Sequence, residues 1–89
     1  MVRVLLAGEF DMVNAAELAA ALTQAVRDAG VILVDLGGTT FLDSSAIRAI
    51  AMAYEAALDA GRELRLVNVP PPLRRLFEIL EMTALFGQP

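Results

Sequence analysis

The chain has 89 residues, 57% of them hydrophobic, and a formal net charge of −4 at pH 7. It contains no Cys, His or Lys, which excludes disulfides, thiolate or imidazole catalysis and the usual zinc sites. All seven basic residues are scattered arginines, a pattern not typical of nucleic-acid binding, and no apolar run approaches the roughly 20 residues of a membrane span.

The length predicts one domain over residues 1–89, because it leaves no room for a second core. A chain of this size buries roughly 60–70% of its unfolded surface, enough for a core without disulfides or metals. The N-terminus offers only about five apolar residues before a polar break, too few for a signal peptide. We therefore expect a cytoplasmic protein with no cofactor, no metal, no bound nucleic acid and no membrane insertion.

The first third of the chain predicts a strand followed by a helix. Residues 2–6 alternate in the manner of a short strand, and residues 8–11 indicate a turn. The spacing of Asn14 and Glu17 fits a capping box, in which Asn14 caps the helix and Glu17 reaches back. Gly30 is placed to end this helix in the left-handed conformation.

The middle of the chain predicts a buried strand and a second helix. Residues 31–35 form a continuous apolar run, typical of a central strand, and the Gly-Gly-Thr-Thr of residues 37–40 indicates a turn. From Ser44 onward, apolar residues recur at helical spacing until Gly61.

The last third predicts a third strand and a third helix. Residues 64–69 mostly alternate, and three prolines then stop the strand and suit the first turn of a helix. Leu85 and Phe86 are expected to pack back onto the core. The resulting β-α-β-α-β-α order predicts an α/β fold with a mostly parallel sheet and helices packed on it. In such sheets the functional site lies beyond the carboxyl ends of the strands, here at residues 35–45.

The Asp43-Ser44-Ser45 run at the start of the second helix has three interpretations. Asp and Ser are good N-cap residues, each about 1 kcal/mol better than Ala. A helix start also attracts anions through its free amides and dipole, and it can carry a phosphorylated serine. Arg48, one turn after Ser44, is placed to reach a phosphate there.

The sequence gives little support to an enzymatic function. A serine nucleophile needs a base, and the chain has neither His nor Lys. A carboxylate pair made by Asp35 and Asp43 is the remaining acid–base arrangement. Residues 37–40 lack the Lys and the spacing of a P-loop. We therefore predict a protein that is not an enzyme.

Residues 41–45, Phe-Leu-Asp-Ser-Ser, followed by an apolar helix resemble the signature of STAS domains, in particular of bacterial anti-sigma factor antagonists. The resemblance extends over nearly the whole chain in the right order. The other segments that carry it are residues 6–11, 31–36 and 73–80 and the Leu85-Phe86 pair.

The resemblance implies a phosphorylation switch in transcription regulation and stress response. In the family, the serine after the Asp is phosphorylated by an anti-sigma factor that is itself a serine kinase. The unphosphorylated antagonist sequesters that partner, and a phosphatase resets the phosphorylated form. By position, Ser44 is the phosphoacceptor and Ser45 the second choice. The implied partner-binding residues are Asp11, Asp43, Ser44, Ser45, Ile47 and Arg48.

Two departures from the family pattern suggest further hypotheses. Family members commonly read Asp-Ser-Ser-Gly-Leu-Gly, where this chain has Ala46, Ile47 and Arg48. The family also usually carries an extra strand before the one at residues 2–6. Its absence predicts an exposed sheet edge, explained by a homodimer through that edge or by an incorrectly assigned start codon. The alternative function is a non-switching STAS subunit of a lipid-transport or stress-sensing complex.

Overall fold

A computed structural model describes residues 1–87 of the chain. Its elements alternate between strands and helices. In chain order they are β1 (Val2–Phe10), α1 (Ala15–Asp28), β2 (Val31–Leu42), α2 (Ser44–Asp59), β3 (Glu63–Val67), α3 (Pro71–Ile79) and a closing 3-10 helix (Thr83–Phe86). This order confirms the predicted α/β fold.

The three strands described form one sheet in the order β1-β2-β3, and both pairings are parallel. Both crossovers step in the same direction across the sheet. Because such crossovers are right-handed, α1 and α2 lie on the same face, where they pack against each other. The carboxyl ends of β1 and β2 therefore meet next to the start of α2.

The core lies between the sheet and the helices. Ile32, Val34 and Leu36 of the central strand are fully buried, as expected for a strand covered by helices. Leu85 of the 3-10 helix is also buried and Phe86 packs against the core, which confirms their predicted return to it. The buried core side chains on the helix side of the sheet are Leu6, Leu18, Leu22, Ala25, Val26, Ile32, Val34, Leu36, Leu42, Ala46, Ile50, Ala53, Ala57, Leu64, Leu66, Leu73, Phe77 and Leu85.

The predicted turns at residues 8–11 and 37–40 are wrong, because β1 continues to Phe10 and β2 to Leu42. The register shows why glycines occur inside a strand. Leu5 pairs with Asp35 but Ala7 with Gly38, so β2 carries an extra residue there, and it carries another before its end. Glycine is tolerated at such bulges, and a Cβ at Gly38 would lie 3.3 Å from the Ala7 Cβ.

The predicted capping box of α1 is also wrong. Asn14 is the N-cap residue, but its side chain makes no cap hydrogen bond. Its Oδ1 instead accepts from the Asp11 amide at 2.8 Å, and its Nδ2 donates to the Glu9 carbonyl at 2.9 Å. The side chain therefore ties together the turn between β1 and α1, which deprives Glu17 of its expected role in a capping box.

The end of α1 differs from the prediction as well. Gly30 does not adopt a positive φ, and Ala29 before it is extended. The helix end is closed from outside by Arg62, whose Nη1 donates to the carbonyls of Val26, of Arg27 at 2.7 Å and of Ala29 at 3.1 Å. A cation at a helix C-terminus satisfies carbonyls and complements the dipole, so no left-handed glycine is needed.

Candidate functional site

Asp43 caps α2, as the sequence predicted for this residue or its neighbour. Its backbone is extended, and its Oδ1 accepts a hydrogen bond from the Ala46 amide at 3.0 Å. Its carbonyl accepts from the Ile47 amide, also at 3.0 Å. The Asp43 amide donates to the Phe10 carbonyl at 3.0 Å, which fastens the start of α2 to the end of β1.

Ser44 and Ser45 are the first two residues of α2. Ser44 is exposed and Ser45 is half-buried. Among residues 1–87, neither hydroxyl and neither backbone amide has a hydrogen-bond partner. These are two of the amides that every helix start leaves unpaired, and with the positive end of the helix dipole they attract an anion.

Arg48 and Ile47 follow on the next turn of α2. Arg48 is exposed and forms no ion pair or hydrogen bond with any residue that the structure describes. Positions four apart on a helix share a face, so Arg48 lies on the same side of α2 as Ser44. Ile47 is half-buried and packs against the core, which leaves only part of its side chain available to a partner.

Asp11 and Asp43 both lie at the carboxyl ends of strands, Asp11 after β1 and Asp43 after β2. Asp11 follows Phe10, whose carbonyl accepts from the Asp43 amide. The Asp11 Oδ1 accepts from the Val13 amide at 2.9 Å, which holds the carboxylate in the turn before α1. The structure therefore brings Asp11 and Asp43, 32 positions apart in the chain, to neighbouring strand ends.

Exposed apolar side chains at this edge were missed by the sequence analysis. Met12 and Val13, in the turn after Asp11, are 76% and 85% exposed. Phe41, just before the cap of α2, is 47% exposed. The available signal was the pair of large apolar residues Met12 and Val13, between the turn predicted at residues 8–11 and the cap candidate Asn14. Together they add an apolar rim to the polar start of α2.

Asp35 is not part of this site. Its carboxylate accepts from Arg3 Nη1 at 2.7 Å, from the Gly37 amide at 2.8 Å and from Asn68 Nδ2 at 2.9 Å. The Gly37 amide first, and then the Asn68 and Arg3 side chains, hold the pKa of Asp35 below its ordinary value of 3.8. It therefore joins β1, β2 and the residue after β3 as a carboxylate.

The carboxylate pair of Asp35 and Asp43 is not formed. Eight chain positions of mostly extended backbone separate them, which places them roughly 20 Å apart. Each carboxylate is instead engaged by its own hydrogen-bond donors. The one acid–base arrangement considered from the sequence therefore has no geometric basis.

Within residues 1–87, no helix is both long enough and apolar enough to cross a membrane. In the same range, no group of three or more acidic, His or Cys side chains is arranged to hold a metal ion.

Comparison with known proteins identifies the family. A family model described as "Mlab, STAS domain" matches residues 1–87. The fold is similar to the unphosphorylated anti-sigma factor antagonist SpoIIAA, with a TM-score of 0.81 and 19% identity over 94% of this chain and 75% of that one. It is also similar to the phosphorylated form of SpoIIAA, a Bacillus cell fate determinant, with a TM-score of 0.76 and 19% identity over 94% and 78%. The chain therefore belongs to the STAS domain family.

Proposed function

We propose that this protein is an anti-sigma factor antagonist switched by phosphorylation of Ser44. Unphosphorylated, it binds and sequesters an anti-sigma factor that is also a serine kinase. Phosphorylated, it releases that partner until a phosphatase removes the phosphate. The observation that carries the proposal is the exposed Ser44 on a helix start with unpaired amides, beside the ends of β1 and β2.

The start of α2 is suited to carry a phosphate without unfolding. A phosphate on Ser44 adds about −1.5 to −2 charges, which the unpaired amides and the helix dipole stabilise. Arg48 is exposed on the same helix face and can pair with it. Asp43 opposes the added charge by repulsion, but its cap bond to Ala46 does not involve Ser44. Phosphorylation therefore changes the charge of the surface more than the fold.

The apolar rim explains why such a change in charge would release a partner. Met12, Val13 and Phe41 offer exposed apolar area of the kind that forms the centre of protein interfaces. A dianion placed on Ser44 would have to lose its hydration when a partner covers this edge. The cost of that desolvation falls on the complex alone, so the phosphorylated form binds the partner less tightly.

Phosphorylation of the purified protein tests the proposed acceptor. Wild type, Ser44→Ala and Ser45→Ala are each incubated with the cognate anti-sigma kinase and ATP, and their intact masses are measured. Wild type and Ser45→Ala are expected to gain one phosphate and Ser44→Ala none. Equal labelling of Ser44→Ala would reject Ser44 as the acceptor.

Binding measurements test the switch itself. Ser44→Asp is expected to weaken binding of the kinase partner, whereas Thr83→Asp, at the start of the 3-10 helix, adds the same charge at an exposed position elsewhere. A cycle that combines Ser44→Asp with Arg48→Ala measures whether Arg48 offsets the added charge. Equal affinities for Ser44→Asp and wild type would contradict a switch that acts through charge at this site.

A second candidate function is a STAS subunit that does not switch, in a lipid-transport or stress-sensing complex. It is favoured by the matched family model, whose description, Mlab, does not name a sigma-factor regulator. Ala46 and Arg48 also replace the two glycines common in the antagonist motif. A pull-down from the source cell separates the two functions. A transporter ATPase as the dominant partner favours the subunit, and a sigma-regulating kinase favours the antagonist.

A further inference from the structure

The turn between β1 and α1 is closed by side chains as well as by backbone. The Asn14 amide donates to the Asp11 carbonyl at 3.2 Å, which makes residues 11–14 a β-turn. The Asp11 Oδ1 accepts from the Val13 amide at 2.9 Å, and the Asn14 Oδ1 accepts from the Asp11 amide at 2.8 Å. Asn14 Nδ2 also donates to the Glu9 carbonyl at 2.9 Å, which fastens the turn to the end of β1. Four hydrogen bonds therefore fix a segment of four residues.

Met12 and Val13 are the two central residues of this turn. Both side chains are largely exposed, so the chain gains little from them in its own core. Large apolar residues are uncommon at these positions, which Gly, Pro, Asn, Asp and Ser usually occupy. A segment that is already fixed loses less conformational freedom when a partner covers it. The turn therefore presents a preorganised apolar pair.

The chain around this turn carries an excess of negative charge. Residues 7–18 and 39–48 meet at this edge of the sheet, and together they contain four carboxylates and one arginine. The carboxylates are those of Glu9, Asp11, Glu17 and Asp43, and the arginine is Arg48. An apolar pair within an acidic border is complementary to an apolar cleft bordered by lysines or arginines.

The same charges disfavour the other occupants that an exposed apolar turn can have. A second copy of this chain would bring its own acidic border against the first, and like charges that face each other oppose association. A membrane with anionic lipids attracts basic segments, so it would repel this border. A protein with basic side chains around an apolar cleft is the occupant that the charges favour.

We propose that Met12 and Val13 are the apolar anchor for the protein partner, and that Asp11 and Asn14 position this anchor rather than contact the partner. The inference rests on the proposed function for the identity of the partner, the anti-sigma kinase. It adds that this kinase carries an apolar cleft bordered by basic side chains, close to the site that receives Ser44.

Affinity measurements with the purified kinase test the anchor. The double variant with Met12→Ala and Val13→Ala is expected to bind about tenfold or more weakly than wild type, because a few buried anchors dominate an interface. A double variant with Leu58→Ala and Ile79→Ala truncates two exposed apolar side chains on other elements and should bind as wild type does.

The outcomes separate this inference from the switch. Equal affinities of the Met12/Val13 double variant and wild type overturn the anchor alone. Binding that depends on the anchor, without phosphorylation of Ser44, overturns the switch alone. A wild-type protein that binds no kinase overturns both, and binding to anionic vesicles in place of the kinase does the same.

Two substitutions of Asp11 separate positioning from direct contact. Asp11→Asn keeps an Oδ1 that accepts from the Val13 amide but removes the charge, whereas Asp11→Ala removes both. In high salt, where attraction between charges is screened, Asp11→Asn should bind as wild type does and Asp11→Ala about fivefold more weakly. Added to the Met12/Val13 double variant, Asp11→Ala should cause no further loss. Equal losses in the two Asp11 variants, or losses that add in the combined variant, overturn the positioning role.

Amide hydrogen exchange in the free protein checks the turn without a partner. The Asp11 and Val13 amides donate to side chains, whereas the Met12 amide has no hydrogen-bond partner within residues 1–87. The first two are therefore expected to exchange more slowly than the third. Asp11→Ala should speed exchange at Val13, and Asp11→Asn should not. Exchange at Val13 as fast as at Met12 in wild type would show that the turn is not preorganised and would overturn the proposal.

Discussion

Two aspartates of the same chain segment have different roles. Asp35, within β2, links the strands, whereas Asp43, just after β2, caps a helix. The Asp35 side chain is only 10% exposed and accepts from Arg3 on β1, from Gly37 on its own strand and from Asn68 after β3. Asp43 lies just beyond the carboxyl end of β2 and uses its side chain for one hydrogen bond, from the Ala46 amide.

The difference shows where this fold leaves groups available for function. Around Asp35, the carboxylate and its donors satisfy one another, so the cluster holds the strands together and offers nothing to a ligand. At Asp43, one cap bond is made while the amides of Ser44 and Ser45 stay unpaired within the described residues. A helix start that follows a parallel strand therefore supplies the open position, and the strand interior does not.

Replacing Asp35 is expected to have the largest effect on stability. Asp35→Ala removes the acceptor shared by Arg3 and Asn68 and so leaves these donors without their partner. The melting temperature should fall more in Asp35→Ala than in Asp43→Ala or Ser44→Ala. Asp59→Ala, at the exposed end of α2, is the matched control. Equal melting temperatures in the two variants would show that the cluster does not hold the strands.

The pH dependence of stability should identify Asp35 specifically. Its folded pKa lies below 3.8, so the stability it contributes is present above that pH and is lost as pH falls through the folded pKa. We expect the difference in free energy of unfolding between wild type and Asp35→Asn to shrink in this acid range. Urea titrations at several pH values measure it. A difference that stays constant down to the lowest pH would contradict the lowered pKa.

Replacing Asp43 is expected to have a smaller effect. Asp43→Ala removes the N-cap bond to Ala46 and should lower the free energy of unfolding by about 1 kcal/mol. Asp43→Ser keeps a capping oxygen and should recover most of that loss. Urea denaturation provides the measurement. A loss in Asp43→Ser as large as in Asp43→Ala would mean that the carboxylate does more than cap α2.

Replacing Ser44 should have the smallest effect on stability. Its side chain is exposed and makes no hydrogen bond to residues 1–87, so Ser44→Ala should change the free energy of unfolding by less than about 0.5 kcal/mol. Thermal and urea unfolding both check this value. A loss of stability comparable to that of Asp43→Ala would assign Ser44 a structural role. It would weaken the interpretation that the Ser44 hydroxyl is available for phosphorylation.

Much of the fold followed from local patterns in the sequence. The alternation of strands and helices, the start of α2 at Asp43-Ser44 and the return of Leu85 to the core were all predicted. The continuation of β2 through residues 37–40 was not predicted, because Gly37 and Gly38 have the same local chemistry in a turn as in a strand bulge. In β2, a Cβ at Gly37 would lie 3.0 Å from the Asp35 Oδ1 and a Cβ at Gly38 would lie 3.3 Å from the Ala7 Cβ, so these close approaches favour glycine at both positions.

In the candidate site, too, some features could be predicted from the sequence and others could not. The cap and the two hydroxyls depend on adjacent residues, so sequence alone could identify them. The exposure of Met12 and Val13 could not be predicted, because it depends on how the turn after β1 packs against the rest of the fold.

By itself, the sequence determined the order of elements, the cap of α2 and the absence of the usual catalytic side chains, since these depend on composition and short-range spacing. Tertiary structure alone decided the partners of Asp35, which lie 32 and 33 positions away in the chain. It likewise decided that the Asp43 amide donates to the Phe10 carbonyl. Both depend on which strands become neighbours, and that is settled only when the helices pack on one face and bring β1 and β3 to either side of β2.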